Sequence, residues 1–264
     1  MTLHVAHALS SKKLRLERVE GDALWRVTLN SPKGNVLDAE MTAELTEVFH
    51  AAAAEPQLKA ILLAGEGSHF CFGASVEEHQ PDQVAGMLAG FHELFRTITA
   101  SGVPVFASVR GCCLGGGLEL VAFCQRIFAH PDASFGQPEI KLGVFAPVAS
   151  AILAERIGRG ATDDLLLTGR TVKADEAHEL RLVDELADDP ETAAEEWVRE
   201  YLLPHSASSL RFATRAARLD YARRFERDIE ELERIYLDQL MVTKDAPEGI
   251  CAFLEKRKPN WSDA

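Results

Sequence analysis

"GCCLGGGLELVAFC", residues 111–124, sets three consecutive glycines, Gly115, Gly116 and Gly117, against an apolar helix-forming run that holds one carboxylate, Glu119. Triple glycine has a large conformational-entropy cost on folding, so the backbone itself must come close to something there: a phosphate, a packing contact or a developing anion. No GxGxxG follows a strand and no GK[ST] is present, which sets aside dinucleotide and P-loop binding. Leu118, Leu120, Val121 and Ala122 leave Glu119 little polar surface, and a buried carboxylate is costly unless it is paired or used.

The segments around this stretch read as an α/β half followed by a helical half. "VPVFASVRG" before it, "RIFAH" after it and "KAILLAG" further upstream are short apolar strands. Helical segments between them are long enough for crossovers in a mostly parallel sheet. "LRLERVE" and "ALWRVTLN" flank Gly21-Asp22, the pattern of a hairpin turn. Residues from Asp38 to about Glu55 form an amphipathic helix with Asp38 as N-cap. From about residue 190 the pattern is long charged helices, with no repeat or flexible linker, and the organisation expected is an α/β core over 1–200 and a helical region over 201–264. Function is expected at strand carboxyl ends, where three loops lie: "GEGSHFCFGAS" (65–75), "GCCLGGGLEL" (111–120) and "SFGQPEIKLGVFAP" (134–147). Taken singly, each glycine cluster reads as turn chemistry, and Glu139 as an ordinary loop glutamate.

Composition narrows the function classes. A formal charge of −13 argues against nucleic acid as the main partner, because phosphate binding needs a basic face. An anionic ligand would then rely on local lysines. The five cysteines form no CxxC pair, so neither a disulfide framework nor a zinc ribbon is suggested and a reduced, cytoplasmic protein is expected. "MTLHVAHALSSKKLRLERVE" has no apolar core of signal-peptide length, and no run of about 18 apolar residues occurs, so the expectation is a protein neither exported nor membrane-spanning.

From "LNSPKGNVLD" through "HFCFGAS", "GCCLGGGLELVAFC", "ASFGQPEIKLG" and "LTGRTVKADEAHELRLVDE" to "EGICAFLEKRKPNW", the chain resembles the crotonase, or enoyl-CoA hydratase/isomerase, superfamily. The paired GGGxE and FGQPE, with glutamates twenty residues apart, is the specific part of the likeness. The resemblance implies an α/β crotonase-like spiral of ββα units with a helical C-terminal region for oligomerisation, in trimers usually paired into hexamers. It implies hydration of an unsaturated acyl-CoA, with the thioester oxygen held by the N–H groups of Ala74 and Gly116 and protons moved by Glu119 and Glu139. Backbone donors aimed at a developing oxyanion are a large catalytic term. Two nearby carboxylates can share the proton transfers, and their titrations should be coupled. CoA and acyl contacts fall by resemblance on Lys33, Phe72, Gly73, Gly115, Phe145, Pro147, Phe253 and Lys256. Lys12, Lys13 and Arg257 read as solvated surface. No metal or redox cofactor is implied; CoA arrives as part of the substrate.

Departures from the family pattern bear on the acyl pocket. Phe72-Gly73-Ala74-Ser75, followed by "VEEH", stands where many members have Ala then Gly-Ala-Asp, and "GVFAPVAS" (143–150) replaces a Pro-Gly-x-Gly-Gly stretch. The combination resembles the cyclohexa-1,5-diene-1-carbonyl-CoA hydratases of anaerobic benzoyl-CoA degradation, in which water adds 1,4 across a ring diene. Phe72, Phe145 and Pro147 are then ring-packing candidates, although aromatics there could equally be plain core. Arg181 replaces a usual glycine and is given no function. The alternatives are a linear-chain enoyl-CoA hydratase, a double-bond isomerase and, from another class, a non-catalytic acyl-CoA binder or RNA-binding relative.

Overall fold

Two antiparallel strands, β1 (Leu14–Val19) and β2 (Leu24–Leu29), open the fold, in register from Leu14 opposite Leu29 to Val19 opposite Leu24. The turn expected at Gly21-Asp22 joins them, widened to residues 20–23. Glu20, Gly21 and Asp22 all take positive φ there, between 54° and 68°, which glycine adopts at no steric cost. The computed structural model describes residues 12–31 and 33–264. The reading of the first residues as lacking a leader core therefore lies, for residues 1–11, outside the described ones, as does Pro32.

From β2 to β6 each strand of the main sheet is followed by a short second-layer segment and then a helix. After β2, Leu37 bridges to Ala74 and α1 (Ala39–Ala54) follows. After β3 (Ala60–Gly65) come the bridging residues Cys71 and Ala74, then α2 (Val84–Ser101). β4 (Val105–Val109) leads to β5 (Cys112–Leu114) and α3 (Gly116–Ala122). β6 (Arg126–Ala129) leads to β7 (Ser134–Gly136), a 3-10 turn (Pro138–Leu142) and α4 (Pro147–Ile157). This recurrence is the spiral of ββα units. After α5 (Arg159–Thr168), β8 (Thr171–Lys173) pairs with β7, so the second layer runs β5-β7-β8. α6 (Ala174–Glu179) then returns the chain to β9 (Glu185–Leu186), completing a main sheet of order β1-β2-β3-β4-β6-β9 that is parallel beyond its first pair.

Both faces of the sheet are covered, which is why its strands are apolar on both sides. Ile61, Leu63, Val105, Ala107 and Ile127 face the large core under α1 to α4, while Leu24, Leu62, Phe106 and Phe128 pack with Ala194 and Val198 of α7 (Pro190–Tyr201). Asp38 caps α1 by accepting from the Met41 amide at 2.9 Å, and Met41, Leu45, Val48, Phe49 and Ala52 form its buried stripe.

The expected charged helices are α8 (Ala207–Ala217), α9 (Leu219–Arg234) and α10 (Asp245–Leu254), with a π-helical turn, Ile235–Leu240, extending α9. α9 packs on the large core, to which it contributes Phe225 and Ile229, while Ala246 and Ile250 of α10 join a separate cluster with Tyr236. Arg218 donates to the carbonyls of Phe123 and Cys124, closing the end of α3. No described helix is long and apolar enough to cross a membrane.

Candidate active site

The three glycines let one backbone press against another. A Cβ on Gly117 would stand 2.6 Å from the Cβ of Cys71, one on Gly116 would stand 3.1 Å from the Ala74 nitrogen, and one on Gly73 would stand 3.6 Å from the Gly116 nitrogen. The loop after β3 is thereby laid on the start of α3. The amides of Ala74 and Gly116 lie close together, and neither meets an acceptor among the described residues. Gly116 is the first residue of a helix, where an amide has no intrahelical partner. Ala74 has no such excuse: the flanking bonds, Leu37 amide to Gly73 carbonyl and Ser75 amide to Leu37 carbonyl, pass it by.

Glu119 lies one turn further along α3 and is buried. Its Oε1 accepts from the Ala149 amide at 2.8 Å, at the start of α4, where Pro147 has no N–H of its own to offer. Burial pushes Glu119 up to about 7, against the opposing pull of the Ala149 and Val148 amides. Glu139, held in the 3-10 turn, is half-buried. Burial and then the charge of Glu119 push it up to about 8. Two carboxylates so placed titrate as one system that keeps a proton near neutrality. Gln137, fully buried, donates from its amide nitrogen to the Glu139 carboxylate at 3.1 and 3.2 Å and to the Gly115 carbonyl at 3.3 Å, tying the second glutamate to the glycine turn.

Both glutamates and both amides open on one cavity of about 360 Å³. Phe72, Gly73, Gly115, Phe145, Pro147 and Phe253 also line it, so ten of the twelve residues singled out in the sequence are brought together there. The other two lie elsewhere. Lys33 lines an adjoining groove that shares Phe72 with the cavity, and Lys256 is exposed just past the end of α10. Lys12 pairs with Glu40 at 3.2 Å, Lys13 with Asp38, and Arg257 with Glu248. These cations are therefore held in ion pairs, and Lys13 is half-buried rather than freely solvated.

Sequence reading missed three polar residues at the site. Gln137 sat within the quoted "FGQPE" and could have been noticed there. His79 lies at the cavity in the "VEEH" segment. Its Nδ1 is 2.7 Å from the Ser75 carbonyl, and burial pushes its pKa down. A carbonyl only accepts, so Nδ1 carries the proton and Nε2 is left as an acceptor. Tyr236 arrives from the π-helical turn, about a hundred residues beyond Glu139 in the chain, with no local pattern to announce it. Among the described residues no group of three or more His, Cys, Asp or Glu side chains could hold a metal ion.

A chain built this way has known relatives. The family model described as enoyl-CoA hydratase/isomerase matches residues 20–264. The cyclohexa-1,5-dienecarbonyl-CoA hydratase of Thauera aromatica is 48% identical over 259 residues, covering 98% of this chain and 100% of that protein. A probable enoyl-CoA hydratase of Mycobacterium leprae is 36% identical over 246 residues, covering 89% of this chain and 93% of its own. Among solved structures, that of an enoyl-CoA hydratase, described as putative, from Mycobacterium avium paratuberculosis K-10 superposes with a TM-score of 0.83 at 30% identity, covering 94% of this chain and 99% of that one.

Proposed function

This chain belongs to the enoyl-CoA hydratase/isomerase family, and from that premise we propose that it hydrates cyclohexa-1,5-diene-1-carbonyl-CoA to 6-hydroxycyclohex-1-ene-1-carbonyl-CoA. The observation that supports this most is the apolar cavity holding two carboxyl groups, whose pKa values burial raises, opposite two free amides, in a chain 48% identical to a hydratase of that name.

In this reading the thioester oxygen lies between the amides of Ala74 and Gly116. The water oxygen bonds to C2 of the ring, and the C1=C2 pair moves through C1 onto the thioester oxygen, where the two donors meet the developing charge. One glutamate takes a proton from the water. The other delivers its proton to C5, whose C5=C6 pair forms the new C–H bond as the enolate electrons return to form C1=C6. Atoms and electrons balance with no redox partner, and renumbering the ring gives the 6-hydroxy product. Addition across positions 1 and 4 of the diene needs an acid and a base at the same time, which is what a pair sharing one proton supplies.

The ring is assigned to the wall formed by Phe72, Phe145 and Pro147. The expected result is a preference of more than about tenfold in kcat/KM for the cyclic dienoyl thioester over crotonyl-CoA, a ratio needing only about 1.4 kcal/mol of differential transition-state binding. Phe145→Ala should reduce turnover of the cyclic substrate more than of the linear one, because an aromatic contact is lost only where a ring makes it. A substrate panel read by product mass and kcat/KM decides. Equal turnover of both thioesters would leave the linear-chain hydratase reading standing and remove the ring.

CoA itself is assigned to the groove of Lys33 and to Phe253, with Lys256 reaching a neighbouring subunit's CoA. The region 201–264 is assigned the contacts of a trimer, or of two paired trimers. Exposed Phe212 on α8 and Val242 between the π-helical turn and α10 support such contacts. Light scattering should return a multiple of three chain masses, and an active monomer would refute the assignment. The free thiols of all five cysteines support a cytoplasmic setting.

A further inference from the structure

We propose that Tyr236 is a catalytic residue whose phenol O–H donates a hydrogen bond to the oxygen that joins the acyl group in hydration and leaves it in the reverse reaction. The phenol oxygen is buried and has no partner among the described residues, yet Tyr236 lines the same cavity as Glu119 and Glu139. A buried hydroxyl is normally satisfied, and one that is not calls for an occupant. The tyrosine ring is well held: its centroid is 5.2 Å from that of Phe145, and Leu88, Val144 and Ile250 pack around it. It sits on a π-helical turn, an insertion that recurs at functional sites because it re-aims a side chain.

Burial, and then the charges of Glu139 and Glu119, push the phenol pKa up, so Tyr236 stays protonated and acts as a donor only. The missing partner is therefore an acceptor. A water oxygen poised between the carboxylates gives its protons toward them, uses one lone pair to bond carbon and has the other free for the phenol. The acyl thioester oxygen is already provided for by the two backbone amides.

This inference rests on the hydratase reading, and its test separates the two. Tyr236→Phe keeps the ring and removes only the oxygen. Affinities are measured for the hydroxylated thioester, 6-hydroxycyclohex-1-ene-1-carbonyl-CoA, and for its deoxy counterpart, cyclohex-1-ene-1-carbonyl-CoA. The expected result is a loss of about tenfold for the hydroxylated ligand with the deoxy ligand changed by less than about twofold, as for a site that loses its partner to a ligand hydroxyl. Equal weakening of both would mean a packing role, and no change in either would mean no contact; both overturn the proposal. Should the variant not fold, wild-type protein binding the hydroxylated thioester more weakly than the deoxy one overturns it as well. Hydration of the cyclic dienoyl thioester by wild type is assayed separately. If only crotonyl-CoA is turned over, the ring assignment fails and the same comparison is made with 3-hydroxybutyryl-CoA and butyryl-CoA.

Discussion

Glu119→Gln and Glu139→Gln are each expected to lower kcat by at least about a hundredfold, because each removes one proton-transfer group while preserving side-chain shape. The Ala149 amide still finds an oxygen at position 119 in the glutamine variant, so lost activity there cannot be blamed on a lost hydrogen bond. The pH profile gives a sharper reading than the rate alone. Wild type needs one proton on the pair, so kcat should be bell-shaped with limbs that belong to the pair. Each variant should retain a single limb. In Glu119→Gln, the Glu139 limb should move to lower pH, since the charge of Glu119 is one of the causes that raise it. Unchanged kcat in either variant would remove that residue from the mechanism.

Stability should respond with the opposite preference. Both glutamates have folded-state pKa values raised above the ordinary 4.5. The stability contributed by the protonated pair is therefore full below pH 4.5 and is lost as pH rises through about 7 and 8. Either glutamine variant should lose less stability than wild type over that window, as read by denaturant midpoints.

Gly115→Ala is the second large effect. Gly115 has φ 50° and ψ −127°, a conformation that side-chain-bearing residues enter at a cost of about 1–3 kcal/mol. The added methyl would also stand 2.7 Å from Glu139 Oε1. That carboxylate oxygen is the mobile end of a side chain, so the carboxylate moves before the backbone does. A displacement of about 1 Å at a reacting group can reduce rate by about a hundredfold. The expected outcome is a drop in kcat of that order with a melting temperature lower by several degrees, about 2–4 °C per kcal/mol for a chain of this size class. Normal kcat in a destabilised Gly115→Ala would show that Glu139 does not need its place against the glycine turn. Replacing Gln137 by leucine should push Glu139 further up, opposite to the shift in Glu119→Gln, since it removes the donors that hold the charged form.

The local parts of the fold were legible because their causes are local. An N-cap aspartate three residues before an apolar stripe, a glycine-aspartate turn between alternating strands, and short apolar runs spaced by helices each state their own structure in a few residues. The same holds for the glycine run with Glu119. Backbone that must come within contact distance of other backbone is written in glycines, and a carboxylate among leucines is anomalous wherever it folds. Nine of the ten candidate residues that meet at the cavity lie in the three loops 65–75, 111–120 and 134–147; the tenth, Phe253, comes from α10.

What tertiary structure alone decided is everything that depends on the rotation of one element against another. Lys33 and Lys256 match a motif by position, yet the first falls into the neighbouring groove and the second beyond a helix end. Arg218 caps α3 from more than ninety residues away, and Tyr236 enters the site on a π-helical turn whose extra residue per turn shifts its direction. The raised pKa values belong here too: a glutamate's sequence neighbours say that it is unusual, but only the packing of α3, α4 and the 3-10 turn removes water from both carboxylates and brings one charge to bear on the other. Local pattern specifies which groups are present; the long-range return of the chain sets their dielectric and their distances, and those two quantities make them a reactive pair.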